Sequence, residues 1–224
     1  MKIVAAPESG KTLQGIWPEF LHHDDIGERY WGRLYPERNA FQFLLLEDDE
    51  VVAEGNSIPV HGHPAEWRDG LVRGFESAGE PDRLCALAIM VAPAYRGRGI
   101  SRVMLEHMRG LAAPWGRLVA PVRPTAKAQH PLVPIGEYVL WRRDDGTHFD
   151  PWIRTHEQAG GVIEGPAENA MVVDAPVENW REWTGLPFAG DGEHVVPGAL
   201  VPVRVEGGRG VYREPCVWIR HAAA

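Results

Sequence analysis

Arginine and glycine alternate in one short stretch of the chain, which reads Arg96-Gly97-Arg98-Gly99-Ile100-Ser101. Its two glycines allow the backbone to turn tightly and to approach a ligand without an intervening Cβ. If a helix begins here, its first amide groups lack partners within the helix, and the helix dipole makes them attractive to an anion. The stretch therefore predicts a phosphate-binding turn, to which the nearby guanidinium groups would add charge-assisted contacts.

Two flanking elements must position this turn. Residues 84–91 form an unbroken apolar run of strand length that ends before Pro93, as expected of a strand buried on both faces. From about residue 100 the apolar residues recur with helical spacing, and Pro114 ends the pattern. A buried strand, a glycine turn and an amphipathic helix follow one another in the order that a diphosphate-binding turn requires.

Charge is distributed unevenly along the chain. The formal net charge is −8 over 224 residues, yet the segment 93–127 contains seven basic residues and one acidic residue. A basic segment in an acidic protein favours a small anionic ligand over nucleic acid. No apolar run approaches the ~20 residues of a membrane span, and no signal peptide is recognised at the start. Cys85 and Cys216 are expected to be reduced, packed thiols of a cytoplasmic protein in preference to a disulfide.

The remaining patterns predict one α+β domain over residues 1–224, with a core at about 40–122, an excursion at 124–150 and a C-terminal part at 150–221. Apolar residues have helical spacing over 12–35, although Pro18 interrupts them. Residues 40–47 and 50–59 predict a β-hairpin. Further predicted elements are a short helix at 67–75, a strand at 118–122, a helix at 151–159 that Asp150 caps, and strands at 162–164, 170–174, 200–205 and 216–220.

The stretch from Val91 to Ile100 reads Val-x-Pro-x-Tyr-Arg-Gly-Arg-Gly-Ile and resembles motif A of the Gcn5-related N-acetyltransferase (GNAT) superfamily. The core pattern of that motif is Gln/Arg-x-x-Gly-x-Gly/Ala. Arg96 and Gly99 match it, whereas Ser101 stands where the family has glycine or alanine. Serine is small enough for the close approach that the motif needs. The close resemblance covers residues 84–113, and the rest of the chain agrees with the family in element order.

This resemblance implies a fold and a donor. The GNAT fold is α+β, with a mixed, twisted sheet that is splayed between its fourth and fifth strands and flanked by helices; here it would carry an extended C-terminal decoration. In the family acyl-coenzyme A (acyl-CoA) binds at the splay, so acetyl-CoA or another acyl-CoA is the implied cosubstrate. Met90 and Val91 would offer main-chain groups to its pantetheine. Its diphosphate would be held by the amides of Arg96, Gly97, Arg98, Gly99, Ile100 and Ser101.

The resemblance also implies acyl transfer to an amine by direct attack in a ternary complex, in which the leaving thiolate needs a proton. Family members often supply it from a tyrosine four residues before a glycine on a later helix. His156 occupies that position before Gly160, and an imidazole donates a proton readily near neutral pH. Tyr138 is the second candidate acid. Each side chain also has a structural interpretation, as a helix-surface residue and as a packed tyrosine respectively.

A general base is harder to place. Family members often have a glutamate on the fourth strand, but residues 84–91 contain no carboxylate. The acceptor would lose its proton through water or to another carboxylate (Glu54, Glu137 or Asp150), unless it is not an ordinary amine. Six of the nine tryptophans follow residue 110 and could line an acceptor pocket, although core packing is the default for most of them. The histidines near residues 22 and 61 lack metal-ligand spacing, so we expect no metal.

The primary hypothesis is therefore a GNAT N-acyltransferase with acyl-CoA as donor and a small-molecule amine as acceptor. One alternative is a donor carried on the phosphopantetheine arm of an acyl carrier protein, since basic residues near the cleft would favour an acidic partner. A second alternative is a non-catalytic module that binds or senses CoA, because the strand carboxylate and the tyrosine are missing. Neither nucleic acid nor a membrane is an expected partner. The sequence leaves the acceptor, the acyl group and the oligomeric state open.

Overall fold

A computed structural model describes residues 1–7, 13 and 16–224. Its strands are β1 (Lys2–Ala5), β2 (Gln42–Glu47), β3 (Glu50–Val60), β4 (Arg83–Val91), β5 (Arg117–Val122), β6 (Val162–Pro176), β7 (Gly192–His194), β8 (Val203–Glu206) and β9 (Arg209–Ala222). Its helices are α1 (Asp25–Tyr30), α2 (Leu34–Glu37), α3 (Trp67–Glu76), α4 (Ile100–Leu111), α5 (Ile135–Tyr138), α6 (Pro151–Gln158) and α7 (Val177–Thr184). Within the described residues the strands form one mixed sheet in the order β1-β2-β3-β4-β5-β9-β8-β7, and β6 pairs with β9.

The predicted hairpin is confirmed as β2 and β3. Asp48 and Asp49 connect the two strands, and both have positive φ angles, 49° and 65°. Two consecutive left-handed residues make the type of turn whose twist matches that of the flanking strands. The predicted strands at 84–91 and 118–122 and the helix that follows the first of them are likewise present as β4, β5 and α4.

The predicted splay lies between β4 and β5. The two strands are parallel, and within the described chain their pairing is confined to Leu84 opposite Leu118 and Cys85 opposite Val119. Both strands continue beyond these pairs without further pairing to each other. The mixed sheet with its parallel fourth and fifth strands and flanking helices confirms the predicted fold class.

A β-bulge in β4 accompanies the splay. Asn56 of β3 lies opposite Ala88, whereas the next residue, Ser57, lies opposite Ala86, so that Leu87 is an extra residue in β4. A bulge bends its strand and increases the local twist. The second half of β4 therefore departs from the direction of β5, which opens a cleft along Ala88–Val91.

The two faces of this sheet are covered differently. The apolar stripe of α4 packs on one face against Leu84 and its neighbours, and its buried residues are Ile100, Met104, Leu105 and Met108. The opposite face is covered by α1, α3, α7 and the long β6–β9 pair, which form the largest apolar cluster. Residues of β3 and β4 that face this second side can contribute to a site between the sheet and α1.

The N-terminal region is less regular than the helical spacing over 12–35 predicts. A 3₁₀ turn at Glu19–His23 precedes α1, a second one at Trp31–Arg33 follows it, and α2 then ends at Glu37. Pro18 precedes the first turn, consistent with the predicted interruption, because proline removes a backbone donor from a helix. Residues 12, 14 and 15 of the predicted helix lie outside the described part.

The C-terminal third also differs from the prediction. The strands expected at 162–164 and 170–174 are parts of one strand, β6. The register with β9 is irregular between Ile163 and Gly165 and between Ala167 and Met171. These irregularities break the alternation of side chains without ending the strand. The expected strand at 216–220 is the end of the longer β9, and α7 and β7 were not predicted. α6 is confirmed, including its cap, since Asp150 accepts hydrogen bonds from Trp152 and Ile153.

Both cysteines are free and buried, as expected of packed thiols. Burial raises the pKa of Cys85 to about 12, so its thiol stays protonated at neutral pH. Among the helices of the described residues, none has the length and hydropathy needed to cross a membrane.

Candidate active site

The turn between β4 and α4 has a backbone that requires glycine. Gly97 and Gly99 both have a φ of +77°, a left-handed conformation that costs other residues about 1–2 kcal/mol. A Cβ built on either residue would meet no described atom within 4 Å. The glycines are therefore needed for the turn itself, and their outer side is open to a ligand.

The amides of this turn lack partners in the protein. Among the described residues, no N–H group from Gly97 to Ser101 donates a hydrogen bond, and the first bonds of α4 run from Arg102 and Val103 to the carbonyl of Gly99. The N–H of Arg96 differs, because it bonds to the carbonyl of Pro93 at 3.3 Å. Five successive free donors at the start of a helix suit an anion such as a diphosphate.

The arginine side chains around the turn are less available than their amides. The guanidinium of Arg98 makes two hydrogen bonds to Glu47, at 3.1 and 3.0 Å. Arg102 pairs with Glu106 in the next turn of α4 at 2.9 Å, whereas Arg96 is exposed. An anion would have to compete with two carboxylates for these charges. The backbone therefore supplies the principal donors, and the arginines contribute less than the sequence suggested.

The free main-chain groups of β4 alternate along the strand. The N–H of Ala92 donates to the carbonyl of Val52 at 2.9 Å, so residue 92 and, two residues earlier, Met90 turn their main chain toward β3. Ile89 and Val91 then turn their main chain to the open side toward β5, where the carbonyl of Val91 accepts a hydrogen bond from Nε of Arg96 at 3.4 Å. The main chain of Met90 is thus turned toward β3, and Ile89 and Val91 are the residues of this part of β4 whose main chain faces the open side.

A cavity of about 300 Å³ lies beside the end of β4. Its walls come from the segment before α1, α1 and the 3₁₀ turn that follows it, α3, β4 and β6. They include Trp17, Glu28, Trp31, Trp67, Met90 and Met171. The side chain of Met90 thus faces this cavity although its main chain is occupied. A more open polar depression of about 510 Å³ lies beside Pro59, at the other end of β3.

Three indoles form one side of the cavity, and we call Trp17, Trp31 and Trp67 the tryptophan wall. Trp31 and Trp67 are stacked with ring centroids 6.0 Å apart and an interplanar angle of 25°. Trp17 crosses them, with centroid distances of 5.3 Å to Trp31 and 6.2 Å to Trp67. The indole N–H of Trp67 donates to the carbonyl of Leu87 at 2.9 Å. The wall is therefore anchored to β4 at its bulge.

Asp24 joins the elements around the cavity. This fully buried carboxylate accepts hydrogen bonds from the backbone of Gly27 in α1 and of Val172 in β6, both at 2.8 Å. It also pairs with Arg68 of α3 at 3.1 Å. Burial raises the pKa of Asp24, while the hydrogen bonds and Arg68 oppose the shift. The residue therefore has a structural role that fixes the cavity walls.

Glu54 is the carboxylate of β3 that lies opposite Met90. It is fully buried, and it accepts hydrogen bonds from the Tyr35 hydroxyl at 2.5 Å and from the backbone N–H of Leu13 at 2.8 Å. Burial and the neighbouring carboxylate raise the pKa of Tyr35, which keeps its hydroxyl as a donor. Leu13 also lines the cavity, so one residue separates Glu54 from its interior.

His156 does not have the environment of a proton donor. It is 2% exposed, and its Nδ1 lies 2.8 Å from Nε2 of His221 in β9. Burial, and secondarily His221, lowers the pKa of His156 well below its usual value. His221 lies opposite Leu118, where β4 and β5 are still paired rather than splayed. The structure thus pairs His156 with a core histidine and does not place it toward the open cleft.

Tyr138 is also committed to the interior. It is fully buried, and its hydroxyl donates to Asp150 at 3.0 Å. Burial, followed by the charge of Asp150, raises the pKa of Tyr138. Asp150 is itself occupied as the cap of α6, and Glu137 is exposed on α5. In the described residues no group of three or more His, Cys, Asp or Glu is placed to hold a metal ion.

Sequence reasoning missed the tryptophan wall. It directed attention to the six tryptophans after residue 110, whereas the cavity is lined by the three that precede it. Trp180, for example, is fully buried in the core. A usable signal was present, because Trp17 and Trp31 lie in one short helical segment that could not bury both indoles by itself.

Comparison with known proteins identifies relatives along most of the chain. The family model described as "Acetyltransferase (GNAT) family" matches residues 11–132. An arginine N-acetyltransferase of Aspergillus versicolor, avaD, is 35% identical over 249 aligned positions, which cover 93% of this chain and 86% of that protein.

Solved structures share the fold at lower identity. The loading GNATL domain of CurA from Lyngbya majuscula superposes with a TM-score of 0.67 and 16% identity, over 99% of this chain and 97% of that one. The GphF GNAT-like decarboxylase, solved in complex with isobutyryl-CoA, gives a TM-score of 0.55 and 16% identity over the full length of both chains. At this identity the likeness concerns the fold alone.

Proposed function

Because the chain belongs to the acetyltransferase (GNAT) family, we propose that it transfers an acetyl group from acetyl-CoA to a nitrogen atom of an arginine-type acceptor. One observation carries the proposal: a turn of free amides and an aromatic cavity both lie at the carboxyl end of β4. The turn suits the diphosphate of the donor, and the cavity suits a cationic acceptor.

The donor would lie along the open side of β4. The amides of Gly97, Arg98, Gly99, Ile100 and Ser101 hold the diphosphate, and Arg96 adds charge from the exposed rim. The pantetheine arm pairs with the outward-facing main-chain groups of Ile89 and Val91 in the manner of an added strand, and it displaces the Arg96 side chain from the Val91 carbonyl. This arrangement directs the thioester from the turn back toward the bulge at Leu87, where the tryptophan wall is anchored.

The acceptor would occupy the cavity beside Met90. An indole face attracts a cation, and the carboxylate of Glu28 at the cavity edge offers an opposite charge. The relative from Aspergillus versicolor is named as an arginine N-acetyltransferase, and arginine carries the type of cation that this lining favours. We therefore expect arginine and its derivatives to be the preferred acceptors.

The chemistry is direct attack in a ternary complex. The nitrogen, once it has lost a proton, attacks the thioester carbon; the new C–N bond forms and the C–S bond breaks, with its electron pair leaving on sulfur. The thiolate takes the second proton released by the attacking nitrogen. Glu28 is the carboxylate that lines the acceptor cavity, and Glu54 lies behind Leu13, opposite Met90 on β3. His156 and Tyr138 are not assigned to this step.

The test is a thiol-release assay with acetyl-CoA and L-arginine, accompanied by mass spectrometry of the product. We expect release of CoA that depends on arginine and a product heavier by one acetyl group. L-Citrulline is the matched control acceptor, since it has nearly the same shape without the side-chain charge. Tight CoA binding with no transfer to arginine, its derivatives or a panel of amines would instead favour the non-catalytic module.

The carrier-protein donor is addressed by a second arm of the same assay. Arg98 and Arg102 are paired with carboxylates, and Lys127 is fully buried, so the basic segment offers less free charge to an acidic carrier than its sequence suggested. We expect free acetyl-CoA to support faster transfer than acetyl-acyl carrier protein at equal concentration. The reverse order would identify the carrier as the donor.

A further inference from the structure

We infer that the group held on the tryptophan wall and acetylated there is the guanidinium, so that the product is an N-acylguanidine and not an Nα-acetyl amino acid. The inference rests on the proposed function and makes it more specific. It concerns which end of the acceptor enters the cavity. The shape of the wall, its attachment to β4 and the charges of the lining each bear on that choice.

The wall has the shape for a planar cation. Trp31 and Trp67 are within 25° of parallel, and Trp17 crosses them at 57° and 68°. A guanidinium is flat and weakly hydrated, so it stacks on an aromatic face through its whole plane, whereas an ammonium is compact and strongly hydrated. Both Trp17 and Trp31 are only partly buried, which leaves indole surface available to a ligand.

The wall also lies next to the place where the thioester would arrive. Trp67 is bonded to the carbonyl of Leu87, and the Met90 side chain forms the adjacent part of the lining. The outward-facing main-chain groups of Ile89 and Val91 lie within the same five residues of β4, 87–91. A group stacked on the wall is therefore the part of the acceptor nearest the acyl carbon.

The charges of the described lining disfavour the other end of an amino acid. Of the residues described as lining the cavity, none is lysine or arginine, so the one described lining side chain that can offer an α-carboxylate a positive charge is His22, and only when it is protonated. Burying an unpaired carboxylate is costly. Glu28 lines the cavity edge with 59% of its side chain exposed, so it can pair with a cation there. The guanidinium therefore enters, and the α-amino and α-carboxyl groups remain outside.

The reaction balances with this orientation. The guanidinium loses one N–H proton to solvent at the cavity edge, where Glu28 is exposed. The neutral nitrogen then forms a C–N bond to the acyl carbon while the C–S bond breaks and its electron pair leaves on sulfur. The second proton of the attacking nitrogen goes to the thiolate. The products are an N-acetylguanidine and CoA with a free thiol.

The first experiment uses acceptors that separate the two ends. Nα-acetyl-L-arginine and 4-guanidinobutyrate carry a guanidinium without a free α-amine, and L-ornithine carries amines without a guanidinium. We expect the first two to be acetylated, ornithine to be inert, and fragmentation of the arginine product to place the acetyl group on the guanidine. Nα-acetylarginine formed from arginine, with Nα-acetyl-L-arginine inert, would overturn the inference but not the proposed function. No transfer to any acceptor would contradict the proposed function itself.

The second experiment measures binding of 4-guanidinobutyrate by calorimetry and does not depend on turnover. Trp17→Ala should weaken binding by about three- to thirtyfold, and Glu28→Gln by about two- to fivefold. Glu19→Gln is the matched control, because Glu19 and Glu28 both lie 3.6 Å from His23 but only Glu28 lines the cavity. Equal effects of the two glutamate variants, or unchanged binding in Trp17→Ala with its fold intact by circular dichroism, would overturn the assignment.

Discussion

The proposed donor turn and the proposed acceptor cavity lie at the same end of β4, yet they are constructed in opposite ways. The donor turn consists of six consecutive residues, Arg96–Ser101, which follow β4 and include the first two residues of α4. The cavity takes its walls from the segment before α1, α1 and the 3₁₀ turn after it, α3, β4 and β6. A diphosphate can therefore be bound by local backbone geometry, whereas recognition of the acceptor depends on packing between distant parts of the chain.

This difference makes the two regions separable by substitution. The donor turn contributes backbone amides and left-handed glycines, so changes there should affect CoA binding and leave acceptor binding unchanged. The cavity contributes indole faces and one exposed carboxylate, so changes there should do the reverse. A variant that altered both affinities by similar factors would show that the regions form one coupled unit.

The largest expected effect comes from replacing both glycines of the turn. In Gly97→Val/Gly99→Val, two valines must adopt the left-handed backbone conformation, which costs about 2–4 kcal/mol together. The affinity for CoA should therefore fall roughly 30- to 1,000-fold. Calorimetry with CoA measures this loss. Gly110→Ala is the control, since Gly110 lies inside α4 with open space around its Cα and should tolerate a methyl group. Unchanged CoA binding in the double variant would remove the diphosphate from this turn.

The donor side was predictable because its signals are local. The apolar run of β4, the two glycines and the helical stripe of α4 are adjacent in sequence, and each element has a strong intrinsic preference. The hairpin of β2 and β3 was predictable for the same reason. The bulge at Leu87 was not predictable, because it is a feature of the register between β3 and β4 and no particular residue type indicates it.

The acceptor side and the catalytic groups were not predictable, because distant residues determine their surroundings. His156 lies on α6, four residues before Gly160, as the sequence indicated. The environment of its side chain is determined by His221, which follows 65 residues later. Trp17 and Trp67 are separated by 50 positions and meet only when the segment before α1 packs against α3. Sequence patterns report the identity and face of such residues, and tertiary contacts decide whether they pack or bind.

The histidine pair gives a pH-dependent test of this conclusion. Burial, with the charge of Arg109, lowers the pKa of His221 to about 4, and burial lowers that of His156 as well. Between pH 6.5 and 4 the unfolded chain therefore binds protons that the native state does not, so the free energy of unfolding falls as pH falls. Between pH 7.5 and 4.5, the free energy of unfolding should decrease by on the order of 1–3 kcal/mol more in the wild type than in His156→Gln/His221→Gln.

Urea unfolding at pH 7.5, 5.5 and 4.5 measures that difference, with the exposed His61→Gln as a control that should follow the wild type. Turnover of the folded double variant separates packing from catalysis. A general acid contributes roughly 100- to 10,000-fold to a rate, and we expect no loss of that size at pH 7.5. A loss in that range, with stability unchanged, would restore His156 as the acid.

A smaller effect is expected from Trp31, on the acceptor side of the comparison. Trp31→Ala removes one of the two nearly parallel indoles, and a cation–π contact of about 0.5–2 kcal/mol should be lost with it. The KM for arginine should rise accordingly while CoA affinity stays constant. Trp115→Ala is the control, because Trp115 packs against Phe41 away from the cavity. An equal rise in both variants would mean a general loss of packing.

The smallest effect is expected from Tyr138. Tyr138→Phe removes only the hydroxyl that donates to Asp150 at 3.0 Å, so the free energy of unfolding should fall by about 1 kcal/mol. Asp150 retains its backbone donors from Ala126 and from the start of α6. Tyr95→Phe, which loses a hydroxyl bonded to Glu50, should change stability by less than about 0.5 kcal/mol. Unchanged turnover in Tyr138→Phe would show that this tyrosine has only a packing role. A hundredfold loss of turnover would instead assign proton transfer to Tyr138, in the segment 124–150.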